Sequence, residues 1–184
     1  HGRDRRHDSQ ALTRQVAFLR GINLAKQRRV AMADLRELLE EAGYQDVRTH
    51  LQSGNVALSS PLPPRKLEAQ LEEQLAVGLG MDVQVLVRTR AQLAKVVALD
   101  PLGKVATNPS RYLVVFLSKK LSPKIARELE AASVIVSGRE LYAWHRDGVQ
   151  RSPLAKLLDD KKLGVVSTAR NWNTVTKLLE LLDE

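Results

Sequence analysis

Arginine and asparagine gather at four places where the sequence pattern changes course, and these residues have the most chemistry to offer. Arg20-Gly21-Ile22-Asn23 leaves an apolar run and enters a basic stretch, Lys26-Gln27-Arg28-Arg29. Gln52-Ser53-Gly54-Asn55 is a tight-turn signal. Arg151-Ser152, followed by Lys156, opens one amphipathic segment, and Arg170-Asn171-Trp172-Asn173-Thr174 opens the last, with Lys177 a turn later. A helix N-terminus presents free N–H groups and a partial positive charge, so it attracts anions. Arginine beside it adds a two-pronged fork for carboxylate or phosphate. The candidate ligand-binding set is therefore Arg20, Asn23, Gln52, Asn55, Arg151, Ser152, Lys156, Arg170, Asn171, Asn173 and Lys177. Each residue type also has a plainer use. Asn171 and Asn173 can cap a helix, and Arg20 and Arg170 can form a salt bridge joining two halves of the fold.

Other chemistries find little support. The chain has no cysteine, which removes disulfides, thiolate nucleophiles and thiolate metal sites together. Its four histidines, His1, His7, His50 and His145, share no helical or hairpin ligand spacing, so no metal site is expected. There is no phosphate loop, no G-x-G-x-x-G after a strand and no nucleophile elbow. Ser53 and Ser152 read as turn and cap residues rather than nucleophiles. Glu40-Glu41, Glu72-Glu73 and Asp159-Asp160 are sequence neighbours, which point about 100° apart on a helix and make poor acid/base partners; they read as solvated faces. No cofactor is implied, no catalytic residue stands out, and whether the chain is an enzyme stays open.

Charge narrows the partner. The 184 residues carry 29 Lys+Arg against 21 Asp+Glu, a formal +8. The first 14 residues hold four arginines and two aspartates, so +6 remains on the body. Such a balance draws polyanions and phosphorylated metabolites, so an anionic ligand is the expected partner, with nucleic acid one form it could take. Tyr142 and Trp144 lie two apart with Arg146, hence on one strand face. That face could stack bases, or pack between halves or between protomers of a homodimer. The longest apolar run, Leu113–Leu117, is far too short to span a membrane, and no secretory segment opens the chain. A soluble cytoplasmic protein is the expectation.

The elements that must position these residues follow from periodicity. Val16–Arg20 reads as a buried strand, Leu35–Ala42 as a helix stopped by Gly43, and Val47–Leu51 and Val56–Leu58 as two strands of a hairpin. Pro63-Pro64 opens a helix with Leu67, Leu71 and Leu75 on one face, and Val83–Val87 makes a fourth strand. Thr89 caps a short helix carrying Leu93, Val96 and Val97. After the turn-rich stretch Asp100–Pro109 the order recurs: strand Tyr112–Leu117, helix from Ser122-Pro123, hairpin Val134–Val136 and Leu141–His145, helix from Ser152-Pro153 with Leu154, Leu157 and Leu158, short strand Val165-Val166, and a last helix with Trp172 through Leu182. This predicts an α+β chain, a duplicated ferredoxin-like fold (βαββαβ twice) with an extra C-terminal helix. Residues 1–14 would be a disordered or appended tail, 15–100 the first half, 101–110 a linker and 111–184 the second half. The repeat is one of pattern, without evident identity between the halves.

Several stretches also resemble one family. They are Ala17-Phe18-Leu19-Arg20-Gly21-Ile22-Asn23, Thr49-His50-Leu51-Gln52-Ser53-Gly54-Asn55-Val56, Arg151-Ser152 through Lys156, Lys162-Leu163-Gly164-Val165 and Ala169-Arg170-Asn171-Trp172-Asn173-Thr174-Val175. In order, from about Val16 to Leu182, they are similar to the bacterial domain of unknown function 1697. The resemblance implies two ferredoxin-like halves and supplies no activity or catalytic residue. One departure stands out: Ala25-Lys26 occupy the place where the family commonly has Gly-Gly, which implies a stiffer, more basic loop after Asn23.

Overall fold

Val16-Ala17-Phe18-Leu19 and Leu113-Val114-Val115-Phe116-Leu117 are apolar without alternation, which is how a strand reads when both of its faces are covered. The computed structural model, which describes residues 11–21, 30–50 and 54–184, places each run at the heart of a four-stranded antiparallel sheet.

The first sheet is built from β1 (Thr13–Leu19), β2 (Gln45–His50), β3 (Asn55–Ser60) and β4 (Val85–Thr89), in the order β2-β3-β1-β4. Helices α1 (Met32–Glu41), α2 (Pro64–Leu79) and α3 (Arg90–Leu99) follow β1, β3 and β4. The second sheet comprises β5 (Tyr112–Leu117), β6 (Ile135–Ser137), β7 (Glu140–Trp144) and β8 (Ser167–Asn171), ordered β6-β7-β5-β8. Here α4 (Pro123–Ala131) follows β5, α5 (Asp160–Leu163) precedes β8 and α6 (Trp172–Asp183) follows it. The two strand orders are the same, and each sheet ends in a trailing helix. The helix from Thr89 is thus the counterpart of the C-terminal helix, which is no extra.

Three apolar layers result. Leu35, Leu39, Leu67, Leu71 and Leu75 of α1 and α2 cover Ala17, Leu19, Val56, Leu58, Val85 and Val87. Leu129 and Leu163 cover Val115, Leu117 and Leu141. Between the sheets, Val16, Phe18, Ala57 and Leu86 meet Tyr112, Val114, Phe116 and Tyr142, with Leu93, Val96, Val175, Leu178 and Leu182 from the trailing helices. Phe18 and Phe116 stack at this seam, ring centroids 4.3 Å apart, an arrangement worth roughly 1 kcal/mol beyond burial.

Several expectations need correction. Thr13 and Arg14 are not tail: they pair with Ser60 and Ser59, and the Arg14 guanidinium donates to the Leu182 carbonyl at 2.6 Å. Of the uses open to the Tyr142–Trp144 face, packing between the halves is the one found, with Tyr142 buried and Trp144 partly buried in the inter-sheet core. The segment from Ser152-Pro153 is not one helix but a 3₁₀ turn, Pro153–Lys156, then the four-residue α5, with another 3₁₀ turn, Val149–Arg151, just before it. Asp159 is the reason for the break: its carboxylate accepts from the Lys161 N–H and caps a new helix start inside the leucine pattern. The last strand is Ser167–Asn171 rather than Val165-Val166.

Candidate functional site

Each sheet ends in an arginine one residue before a helix cap, Arg88 before Thr89 and Arg170 before Asn171. Arg88 lies over the Phe116 ring, its carbon 5.6 Å from the centroid, and Arg170 lies over Phe18 at 5.4 Å. Arg88 donates to the carbonyls of Leu117 (2.8 Å) and Val87 (3.1 Å); Arg170 donates to those of Leu19 (3.3 Å) and Ala169 (2.9 Å). The Nε of Arg88 meets the Glu140 carboxylate at 3.0 Å, and the Nε of Arg170 meets the Asn55 side-chain oxygen at 2.6 Å. Glu140 and Asn55 are the first residues of β7 and β3 and pair with Phe116 and Phe18 respectively. The two constellations are related as the two sheets are, each arginine reaching across to the other sheet's phenylalanine. A residue-level echo of the repeat therefore exists, in Phe18-Leu19 with Phe116-Leu117 and in Arg88 with Arg170.

The constellations differ in their surroundings. Arg88 is wholly buried; burial pushes its pKa down and the Glu140 carboxylate pushes it back up. Arg170 is half-buried, and burial lowers its pKa to about 10, so it still carries its charge at neutral pH. It lines a cleft of about 780 Å³ that follows β8. Leu113, Val115, Val149, Ala155 and Leu158 form the apolar wall, and Arg20, His145, Asp159, Asp160, Thr168 and Asn171 supply polar groups. That volume is within the range of small-molecule sites.

The cleft exists because α5 is short. Over the first sheet, the 16-residue α2 lays Glu72 and Glu68 along the outer edge of β4, accepting from the N–H groups of Val85 (2.9 Å) and Val87 (3.0 Å). Over the second, Asp160 takes the place of Glu72, accepting from the Ser167 N–H at 3.1 Å, but the helix begins there. Ala169, the counterpart of Val87, is left exposed beside the cleft. Glu72 and Asp160 are thus strand-edge acceptors, not members of solvated faces.

The structure brings part of the candidate set together. Arg20, Arg170 and Asn171 line the cleft, and Asn55 stands behind Arg170, fully buried, also donating to the His50 carbonyl at 2.9 Å. Arg20 joins the two halves of the chain: its guanidinium meets Asp160 at 2.6 Å and the Gln84 side chain at 2.7 Å. Asn171 caps α6 by accepting from the Thr174 N–H at 3.0 Å. Arg170 belongs to a strand rather than to a loop or helix start. Ser152 caps the 3₁₀ turn through the Leu154 N–H at 3.2 Å. Arg151, Lys156, Asn173 and Lys177 are exposed and are not part of the cleft lining; Lys177 reaches Glu180 at 3.5 Å. Asn23, Gln52 and the basic stretch Lys26–Arg29 lie outside the described residues.

Two residues escaped the sequence reading. Arg88 was legible only as a charge ending an apolar strand. His145 lies just past β7, 1% exposed, on the face that carries Leu113 and Val115, and neither ring nitrogen has a hydrogen-bond partner. Burial lowers its pKa below the ordinary imidazole value. Among the described residues, no cluster of three or more His, Asp or Glu side chains could hold a metal ion, and no helix is long and apolar enough to cross a membrane.

With this geometry in view, the comparisons with known proteins are informative about fold and family. Residues 12–143 match the family model described as protein of unknown function, DUF1697. No curated protein matches. Among solved structures, the chain is similar to the conserved bacterial protein SP0830 from Streptococcus pneumoniae, with 20% identity and a TM-score of 0.69, covering 94% of this chain and 99% of that one.

Proposed function

The chain belongs to the DUF1697 family, and from that premise we propose that it binds a small anionic ligand in the cleft along β8. The carrying observation is the fixed Arg170 guanidinium beside a cleft of about 780 Å³. Asn55 and the Leu19 carbonyl hold that guanidinium in place, so a ligand does not bear the cost of ordering it. Arg20 lies on the same rim, paired with Asp160 at 2.6 Å, and the net +8 of the chain raises the local concentration of anions. The two identical strand orders support the finer architecture, a duplicated ferredoxin-like fold with halves at 15–100 and 111–184 joined through 101–110. A basic cytoplasmic protein of bacterial type fits this reading.

The cleft's size favours a metabolite carrying phosphate or carboxylate over a strand of nucleic acid. Calorimetric titration with inorganic phosphate, 3-phenylpropanoate and a single-stranded oligonucleotide separates the classes. Binding of either small anion, weakened at least tenfold in Arg170→Lys, is the expected result. Binding of the oligonucleotide alone, steeply salt-dependent, would replace the small anion by nucleic acid. An enzyme acting on such a metabolite is a second reading, favoured by the presence of titratable His145, Asp159 and Asp160 in one cleft.

A further inference from the structure

An exposed edge strand presents unpaired N–H and C=O groups to any chain that reaches it, and three of the four sheet edges here are guarded against this. On β2 the pairing bulges between Gln45 and Arg48, where Asp46 has a φ of 54°, and β6 is three residues long. On β4, Glu72 and Glu68 answer the outward N–H groups of Val85 and Val87. The edge of β8 is the exception. Ser118 donates to the Val166 carbonyl, so in this antiparallel pair Ser167, Ala169 and Asn171 turn their backbone groups away from β5. Asp160 answers the Ser167 N–H. The N–H groups of Ala169 and Asn171 and the Ser167 carbonyl have no partner among the described residues, and Ala169 is exposed.

What adjoins this edge selects the occupant. Ala169 pairs with Val115 and shares its face of the sheet, on which Leu113, Val115 and Leu158 line the cleft. A strand laid antiparallel on β8, like all six strand pairs in the two sheets, directs the side chain opposite Ala169 into that cleft. The β8 of a second copy would place only an alanine in a cleft of about 780 Å³, and would bring +8 against +8. Charge complementarity sets the flanks. Arg151 and Lys156 are exposed, lie within two residues of the lining residues Val149 and Ala155, and have no ion-pair partner among the described residues. The carboxylates nearby are committed: Asp160 pairs with Arg20, and Asp159 caps α5.

We propose that β8 is a docking edge for an extended acidic segment of a partner protein. The segment adds a fifth strand to the second sheet, accepting from the N–H groups of Ala169 and Asn171 and donating to the Ser167 carbonyl. One large apolar side chain enters the cleft, and acidic side chains two residues to either side share its face and meet Arg151 and Lys156. Main-chain bonds then supply affinity and the cleft supplies specificity. The Ala169 carbonyl, which already accepts from Arg170 at 2.9 Å, is not needed. This docking shares the cleft of the small-anion reading without resting on it, since none of its bonds falls on Arg20 or Arg170.

The test titrates the ¹⁵N-labelled full chain with four peptides, Ac-Glu-Thr-X-Thr-Glu-NH₂ with X as Leu, Ile, Phe or Trp. Two controls accompany them, one with Gly at X and one with Leu at X and both Glu replaced by Lys. Exchange of the Ala169 and Asn171 amide hydrogens is read by NMR and affinity by calorimetry. The expected result is about tenfold slower exchange at both amides with at least one of the four peptides, and about tenfold weaker binding of both controls. Ala169→Pro, which removes a donor at an edge position where proline is tolerated, should weaken binding by about the same factor. Failure of all four peptides to protect the amides, or binding that leaves both amides exchanging freely, overturns the proposal. Amides already protected in a chain that sediments as a dimer overturn it too, and give the edge to a second copy. The exchange measurement uses the unaltered chain, so an unstable proline variant does not void the test. Titration of the same chain with inorganic phosphate reads the small-anion site separately, so failure of one reading is distinguishable from failure of the other.

Discussion

The two sheets close their last strands in different ways, and the difference leaves a cleft beside the second. Over the first sheet, α2 runs for 16 residues, covers the edge of β4 with Glu68 and Glu72, and leaves Arg88 sealed against Glu140. Over the second, the chain spends the same stretch on two 3₁₀ turns and a four-residue helix, and a cleft remains beside Arg170. The Nε of the first arginine meets a carboxylate and the Nε of the second a side-chain amide oxygen. Burying an ion pair stabilises little in net terms, but it commits its charges to each other. An amide orients a guanidinium without neutralising it. The first constellation is thus sealed by an ion pair, while the second stands beside a cleft that Arg20, Arg170, Asp159 and Asp160 all line.

The largest way to break this comparison is Arg88→Met. Glu140 would then stay largely buried without its partner, a loss of about 3–5 kcal/mol of unfolding free energy by urea titration. Arg170→Met should cost less, about 1–3 kcal/mol, because it leaves a neutral amide behind rather than a charge. If the two variants lose equal stability, the assignment of one site as structural and the other as ligand-facing fails.

Asn55→Asp sharpens the comparison by giving the second arginine the carboxylate that the first one has. The variant gives up the donation to the His50 carbonyl, at about 1–2 kcal/mol, and should lower phosphate affinity at least fivefold in calorimetry. Unchanged affinity would mean that the Arg170 charge does not act on the cleft.

A smaller effect comes from pH. Burial lowers the pKa of His145, so below the ordinary imidazole range the unfolded chain binds a proton that the folded chain refuses. Stability contributed by the neutral ring is full above about pH 6.5 and falls as pH drops toward the folded-state pKa, by at most ~1.4 kcal/mol per pH unit. His50 shifts in the same direction, through burial and then Lys177, so the His145→Gln variant isolates the His145 share. Identical pH profiles for wild type and variant would deny the ring its desolvated state.

The smallest expected effects are at the two helix caps. Thr89→Ala removes the side-chain bond from the Gln92 N–H and leaves the backbone N–H of residue 89 to donate to the Gln92 side chain, and Asn171→Ala removes one bond to the Thr174 N–H. Each should cost about 1 kcal/mol by thermal unfolding. A large loss of anion affinity in Asn171→Ala alone would give Asn171 a second role in the cleft.

Much of this architecture was written in the chain itself. Unbroken apolar runs at Val16–Leu19 and Leu113–Leu117 announce strands covered on both faces, and the leucine spacing of α2 with its Pro-Pro start announces the helix above them. These signals are local, because periodicity depends only on neighbours within a turn or a pleat. Even the convergence of Arg20 with Arg170 was open to suspicion from their types, though not from their spacing, 150 residues apart in sequence. What tertiary structure decided was the partner of each polar group. Asn55 reads as a turn residue, yet it anchors Arg170. Asp160 reads as half of a solvated pair, yet it bridges Arg20 and the Ser167 N–H. His145 reads as an isolated histidine, yet it ends buried at the wall of a cavity. Propensity and hydrophobic pattern are carried by single segments and so survive in the sequence. A cavity, a desolvated ring and an arginine's choice between carboxylate and amide arise where segments distant in the chain meet, and only the folded chain brings them together.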